Sequence, residues 1–236
     1  MKARVFVSGI MAALIGTTAA AASLFVRPTT VVLSGGQSAA SITVTNSGEA
    51  PVTAQLRVFS WDQKDNEDKL DPTSALVASP PMMSIPPGQS QTIRLVRTAK
   101  AQAAREETYR LIVDEITDRT ATAAAGVAIQ LRYSVPVFVL PRADSPARLS
   151  VTAGVTGNEL VIDAVNRGKA HAQISNVSLA YADGSLQLIG SGLVGYVLPD
   201  RNRQWKLPLP TGASAVQGPP RQVRAMVNGQ EMQVAL

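Results

Sequence analysis

Apolar residues in this chain recur at every second position, in short runs cut by turn residues. Ile42-Thr43-Val44-Thr45 is one such run, and Val52 to Phe59 (VTAQLRVF) is another. Ile93 to Arg97 and Tyr109 to Val113 repeat the pattern. Alternation over four to eight residues puts one side chain in two on the same face, which is the signature of a half-buried strand. Ser34-Gly35-Gly36, Asn46-Ser47-Gly48 and Pro86-Pro87-Gly88 separate the runs as turns. Only Thr98 to Glu107 (TAKAQAAREE) reads as a helical turn or loop. Many short strands with regular turns predict an all-β chain of β-sandwich type rather than an α/β enzyme fold.

The longest run is Val127 to Leu140 (VAIQLRYSVPVFVL). Val127, Ile129, Leu131, Tyr133 and Val135 share one face, and Gln130, Arg132 and Ser134 the other. Pro136 lacks the N–H that a central ladder needs, so this part of the strand is expected at an edge, a bulge or a bend. Pro141 to Pro146 (PRADSP) then makes a domain boundary. Beyond it the pattern resumes in Arg148–Val151, Glu159–Val165, Ile174–Ala180 and Ser185–Ile189. Gln222–Val227 and Glu231–Ala235 flank Asn228-Gly229, a strong signal for a type I′ hairpin. The expectation is two sandwiches in tandem, residues 23–141 and 142–236.

Residues 1–22 read as an export signal. Lys2 and Arg4 precede an apolar stretch from Val5 to Ile15, and Ala20 and Ala22 fit the small-x-small cleavage rule. The apolar core is too short to span about 30 Å of hydrocarbon, so no membrane insertion is expected after cleavage. Removing two basic residues lowers the net charge from +5 to +3. Residues 23–141 balance at zero and 142–236 carry the +3. With no cluster of Lys and Arg interleaved with aromatics, nucleic acid is not an expected partner.

Catalytic chemistry is poorly supported. The chain has no cysteine and a single histidine, His171, which leaves no thiolate and no room for a His-based metal site or triad. Asp114 and Glu115 are adjacent on a strand and point to opposite faces. Asp62, Asp65, Glu67, Asp68 and Asp71 lack the glycine and terminal glutamate of a calcium loop and read as a solvated hairpin loop. His171 follows a turn and reads as a surface residue. Trp61 and Trp205 fall in different predicted domains, which argues against an aromatic sugar platform. The expectation is a non-enzymatic protein with no cofactor and no metal.

Several pieces resemble the periplasmic pilus-assembly chaperones of the bacterial chaperone–usher pathway. Ser34-Gly35-Gly36 followed by Ser41 to Asn46 is similar to that family's first hairpin. Ile85-Pro86-Pro87-Gly88 running on to Arg94-Leu95, after Ala78 to Pro81, is similar to its P-P-G stretch. Tyr109 to Ile116 and Gly126 to Val139 resemble its last two domain-one strands. Asn166-Arg167-Gly168 and Leu198-Pro199 resemble turns of its second domain.

The resemblance implies an L-shaped pair of immunoglobulin-like sandwiches in the periplasm. It implies pilus or fimbrial subunits and an outer-membrane usher as partners, and leaves open whether the free protein self-associates by covering its donor strand. In this family the chaperone lends a strand to fill a subunit's groove, with backbone hydrogen bonds for affinity and alternate side chains for pockets. Here Val127, Ile129, Leu131 and Tyr133 would be the groove-filling residues. The family also anchors the subunit's terminal carboxylate with an arginine on the first strand, where Arg27 fits, and a lysine near the end of the donor strand. Pro136 stands at that lysine position, and Tyr133 to Phe138 instead resembles the divergent, archaic branch of the family. Arg94, Arg97 and Arg132 are the candidates to replace it, with Arg97 expected to matter more than Arg132. The competing class is a structural pilus subunit or adhesin, which would normally be one incomplete domain with a disulfide.

Overall fold

The computed structural model describes residues 24–34, 36–99, 104–116, 130–210 and 219–236. Seventeen strands run through them, with no helix among the described residues. The strands fall into four sheets. The first is β1 (Leu24–Arg27), β3 (Ala39–Asn46), β8 (Ser90–Arg97) and β6 (Leu76–Ser79), in that order. The second orders β2 (Val31–Leu33), β10 (Arg132–Val139), β9 (Glu107–Ile116), β4 (Val52–Lys64) and β5 (Glu67–Pro72), and β7 (Met82–Ile85) also pairs with β4.

The other two sheets use the rest of the chain. One is β11 (Leu149–Thr156), β12 (Glu159–Asn166) and β15 (Arg201–Pro208). The other is β14 (Leu186–Val197), β13 (Ala172–Tyr181), β16 (Pro220–Val227) and β17 (Gln230–Ala235). The alternation seen in sequence becomes two cores. Leu24, Leu33, Ile42, Ile93, Leu95 and Leu111 centre the first, and Leu160, Ile162, Ile174 and Leu179 the second. The chain is therefore all-β, with one sandwich core on each side of Leu140.

Both sandwiches use the same corner. Asn46 and Asn166 are fully buried, at the ends of β3 and β12. Each Oδ1 accepts the N–H of the glycine two residues on, Gly48 or Gly168, at 2.9 Å. Each Nδ2 donates to the carbonyl four residues on, Ala50 or Ala170, at 2.8 Å. A second bond from Nδ2 reaches a distant strand, at Ile85 O (2.9 Å) or Val197 O (3.0 Å). Buried backbone groups need such partners once a strand ends. Gly168 is required sterically, since a Cβ there would lie 2.4 Å from Arg148 N.

Two hairpins turn through paired left-handed residues. Asn228 (φ 48°) and Gly229 (φ 80°) form the expected tip between β16 and β17. Asp65 (φ 55°) and Asn66 (φ 62°) do the same between β4 and β5. The acidic stretch is an exposed hairpin, as expected, but a structured one. Its strands continue to Lys64 and resume at Glu67, and several of its side chains bond to the second sandwich, as described below. Among Thr98, Ala99 and residues 104–106 there is no helical turn; Thr98 N–H instead donates to Ala75 O.

Candidate functional site: an open strand edge beside a cationic sheet face

β10 carries the residues of interest because it has two different neighbourhoods. Along its whole length it pairs with β9, from Arg132↔Asp114 to Val139↔Glu107. On its other side β2 covers only Val137 to Val139. Among the described residues the stretch from Arg132 to Pro136 therefore has an open edge, and this is where Pro136 sits, as its missing N–H requires. Unpaired backbone groups on such an edge are a template for a further strand.

One face of β10 belongs to the core. Val135, Val137 and Val139 are buried in it, and Leu131 and Tyr133 pack against it. The Tyr133 hydroxyl donates to Leu24 O on β1, which ties the edge strand to the opposite sheet. Leu131 N–H points at Glu115 Oε2 (3.4 Å), while Leu131 O accepts from Glu115 N–H (3.0 Å). Val127 and Ile129, named with Leu131 and Tyr133 from sequence, lie outside the described residues.

The other face of β10 lines up with β9 and β4 in rows. Cross-strand partners share a face, so Arg132, Asp114 and Gln55 form one row and Ser134, Ile112 and Arg57 the next. Pro136, Arg110 and Phe59 form the third. Asp114 accepts from both Arg132 Nε (2.5 Å) and Arg57 (2.6 Å). Burial works to raise the Asp114 carboxyl, but these two guanidiniums hold it below its ordinary value.

The four anchor candidates divide into two pairs. Arg97 is committed: it makes a bidentate pair with Glu107 (2.8 and 2.7 Å), and its side chain is only 9% exposed. That pair lowers the Glu107 carboxyl. Arg132 is held by Asp114 but remains largely exposed. Arg27, at the end of β1, and Arg94, on β8, are exposed, and neither makes an ion pair with another described residue.

Beyond the third row the sheet face is covered by the second sandwich. Trp61, Phe138, Tyr196 and Leu198 form a buried cluster there. His171 is part of this joint rather than a surface residue. Its ring stacks on Phe138 (centroids 3.5 Å apart, planes at 11°), and Nδ1 lies 2.6 Å from Glu106 Oε1. Glu106 is fully buried on its side chain and also accepts His171 N–H at 2.6 Å. The turn preceding His171 had hidden this, because sequence alone does not show which surface a turn faces.

Polar groups complete the joint. Gln63, 3% exposed, acts like one residue of a strand: Nε2 donates to Tyr196 O (3.0 Å) and Oε1 accepts Leu198 N–H (3.0 Å). Asp62 takes a two-point bond from Arg201 (2.6 and 3.0 Å). Asn66 bonds Gln204 through its N–H and its carbonyl. Arg110, which no sequence argument singled out, lies over the Trp61 ring at 3.7 Å. Burial lowers its guanidinium from the ordinary value. No group of three or more His, Cys, Asp or Glu able to hold a metal occurs among the described residues. This arrangement offers strand pairing and charge recognition.

Two β-sandwiches in tandem, the first with a strand open along part of its edge among the described residues, define the fold class. Residues 23–144 match the family described as "Pili and flagellar-assembly chaperone, PapD N-terminal domain", and the chain belongs to that family. It is 31% identical over 139 residues to the chaperone protein PmfD of Proteus mirabilis (strain HI4320), covering 57% of this chain. That match spans about half of the relative, 51% of its length.

Solved structures share the fold across both sandwiches. A chain of the CsuC–CsuE chaperone–tip adhesion subunit pre-assembly complex, from the archaic chaperone–usher Csu pili of Acinetobacter baumannii, superposes with a TM-score of 0.66 at 19% identity. That superposition covers 90% of this chain and 98% of the other. A chain of the Salmonella enterica SafA pilin–SafB chaperone complex gives 0.61 at 18% identity, over 91% of this chain and 96% of the other.

Proposed function

We propose that this protein is a periplasmic chaperone that captures pilus or fimbrial subunits on β10 and passes them to an outer-membrane usher. Residues 1–22 would direct export and be removed, leaving an N-terminal domain at 23–141 and a C-terminal domain at 142–236. The observation that carries the reading is the one-sided pairing of Arg132 to Pro136, an edge left open in a strand whose neighbouring residues form the core. A subunit lacking a strand would pair its backbone with this edge, and Val127, Ile129, Leu131 and Tyr133 would supply the alternate side chains for its groove. An open edge of this kind also favours pairing with a second copy when no subunit is present.

Arg27 and Arg94 carry charge with no described carboxylate on it, which suits an incoming anion. Arg132 shares Asp114 with Arg57 and keeps surplus positive charge on the same face. Arg97 contributes first to the fold, through Glu107.

Co-expression with a cognate subunit and pull-down tests the reading. Ile129→Asp and Leu131→Asp should each reduce capture at least tenfold while the thermal transition persists. Undiminished capture by both variants would overturn the donor-strand assignment.

A further inference from the structure

The net charge of residues 23–236 gathers at one corner of the second sandwich. Arg142, Arg148, Arg167 and Lys169 stand there with one acid, Asp144, for a net +3. The other five basic and five acidic residues of 142–236 cancel. All four basic residues are exposed. Arg142 pairs with Asp144 at 2.9 Å. Arg148, Arg167 and Lys169 make no ion pair with another described residue.

The fold builds this corner against the electrostatics. Arg167 N–H donates to Arg148 O (2.9 Å), one step past the Leu149↔Asn166 end of the β11–β12 ladder. The two arginines are therefore direct cross-strand neighbours, a place where like charges are destabilising. Lys169 N–H donates to Pro146 O (2.9 Å), which extends the same pairing and sets a third cation beside them. Buried Asn166 fixes the backbone beneath, its Oδ1 accepting both Arg148 N–H (3.1 Å) and Gly168 N–H (2.9 Å). A firmly held backbone thus keeps three charges together, and no described carboxylate offsets them. An anion from outside would relieve their repulsion.

The corner offers charge without apolar surface. No aromatic residue and none of the large exposed apolar side chains falls within 142–149 or 166–170. Protein partners are gripped through an apolar or aromatic centre, which this surface lacks. An anionic lipid surface needs no such centre, and its negative potential favours each nearby Lys or Arg by about a factor of five. We propose that the corner of Arg142, Arg148, Arg167 and Lys169 docks the protein on a membrane surface of anionic phospholipids. Residues 1–22, read as an export signal, would bring the chain to such a surface. The inference does not rest on subunit capture by β10.

Vesicle sedimentation tests it. The protein, purified as exported, is mixed with vesicles of phosphatidylcholine alone or of equal parts phosphatidylcholine and phosphatidylglycerol. It should bind the mixed vesicles saturably and the neutral ones not at all. Binding should weaken as salt shortens the Debye length from about 30 Å to about 8 Å. The double variant Arg148→Gln, Arg167→Gln should bind at least tenfold more weakly, and Lys169→Gln alone, which leaves the paired arginines in place, about fivefold. Arg148→Lys with Arg167→Lys should stay within threefold of the parent. Lys206→Gln with Arg221→Gln removes the same charge from exposed positions on the same sandwich and should also stay within threefold. Lys206 lies opposite Val161, well along β12 from Arg167. Equal losses in the two double glutamine variants, or binding to neutral vesicles, would overturn the proposal. Poly-L-glutamate bound as tightly per charge as the mixed vesicles would also overturn it, and would assign the corner to an acidic polypeptide. Leu131→Asp should bind vesicles like the parent, so loss of subunit capture and loss of lipid docking are separate results.

Discussion

Asn46 and Asn166 show what a single residue can carry here. Both are fully buried; Asn46 makes three side-chain hydrogen bonds to backbone groups, and Asn166 makes four, its Oδ1 also accepting Arg148 N–H at 3.1 Å. Alanine would leave two carbonyls and one N–H without their partner at position 46, and two carbonyls and two N–H groups at position 166. Because the two corners lie in separate cores, their effects should add. We expect each Asn→Ala change to cost about 3 kcal/mol, measured by urea unfolding. A loss below about 0.5 kcal/mol at Asn166 would show that water replaces its bonds. The motif Asn-x-Gly-x-Ala is visible in sequence at both places, as turn residues after an alternating run. What sequence does not show is the third bond, to Ile85 or Val197, since its partner lies more than thirty residues away.

At the scale of elements, the β4–β5 hairpin behaves as a docking arm. Its tip was legible only as polar residues near acidic ones, and its role depends on reaching β15. Asp62 makes a two-point contact with Arg201, and that hydrogen bond lowers its carboxyl from the ordinary value, although partial burial opposes this. A carboxylate lowered in the folded state stabilises that state above its unfolded value and ceases to do so as pH falls through the folded value. Docking of the arm should therefore weaken below about pH 4. Asp62→Asn should show weaker docking at neutral pH and a flatter acid limb. The shift of the Trp61 indole resonance between pH 7 and pH 3 measures both. An unchanged acid limb in Asp62→Asn would assign the response to Glu107 or Asp114, whose carboxyls are also lowered.

For the whole molecule, the joint holds two sandwiches that each have a core of their own. Gln63 places its amide where a strand's backbone would otherwise pair, between Tyr196 O and Leu198 N. Gln63→Leu keeps the volume and removes both bonds, leaving two buried backbone groups without partners. The expected cost is about 2–4 kcal/mol of docking, with little change to either core. Calorimetry should then resolve two transitions where the parent shows one, and the radius of gyration from X-ray scattering should grow. A single transition in the variant would mean that Phe138, Tyr196 and His171 hold the joint without Gln63.

The sequence by itself determined that the chain is all-β, where its turns fall, and which strand carries the apolar stripe ending at Pro136. These follow from local periodicity and from the conformational limits of glycine, proline and asparagine, which act within a few residues. Only the tertiary structure decided which surfaces meet. Sequence separates Trp61 from Trp205 and makes His171 a turn residue, yet all three lie at one joint. It places Arg97 above Arg132 among the anchor candidates, and the structure pairs that guanidinium with Glu107 from the neighbouring segment. It passes over Arg110, which stands across the ladder from Pro136 and lies over the Trp61 ring. The physical reason is that charge recognition depends on which groups remain unneutralised after folding, and that balance is set by contacts between residues far apart in the chain.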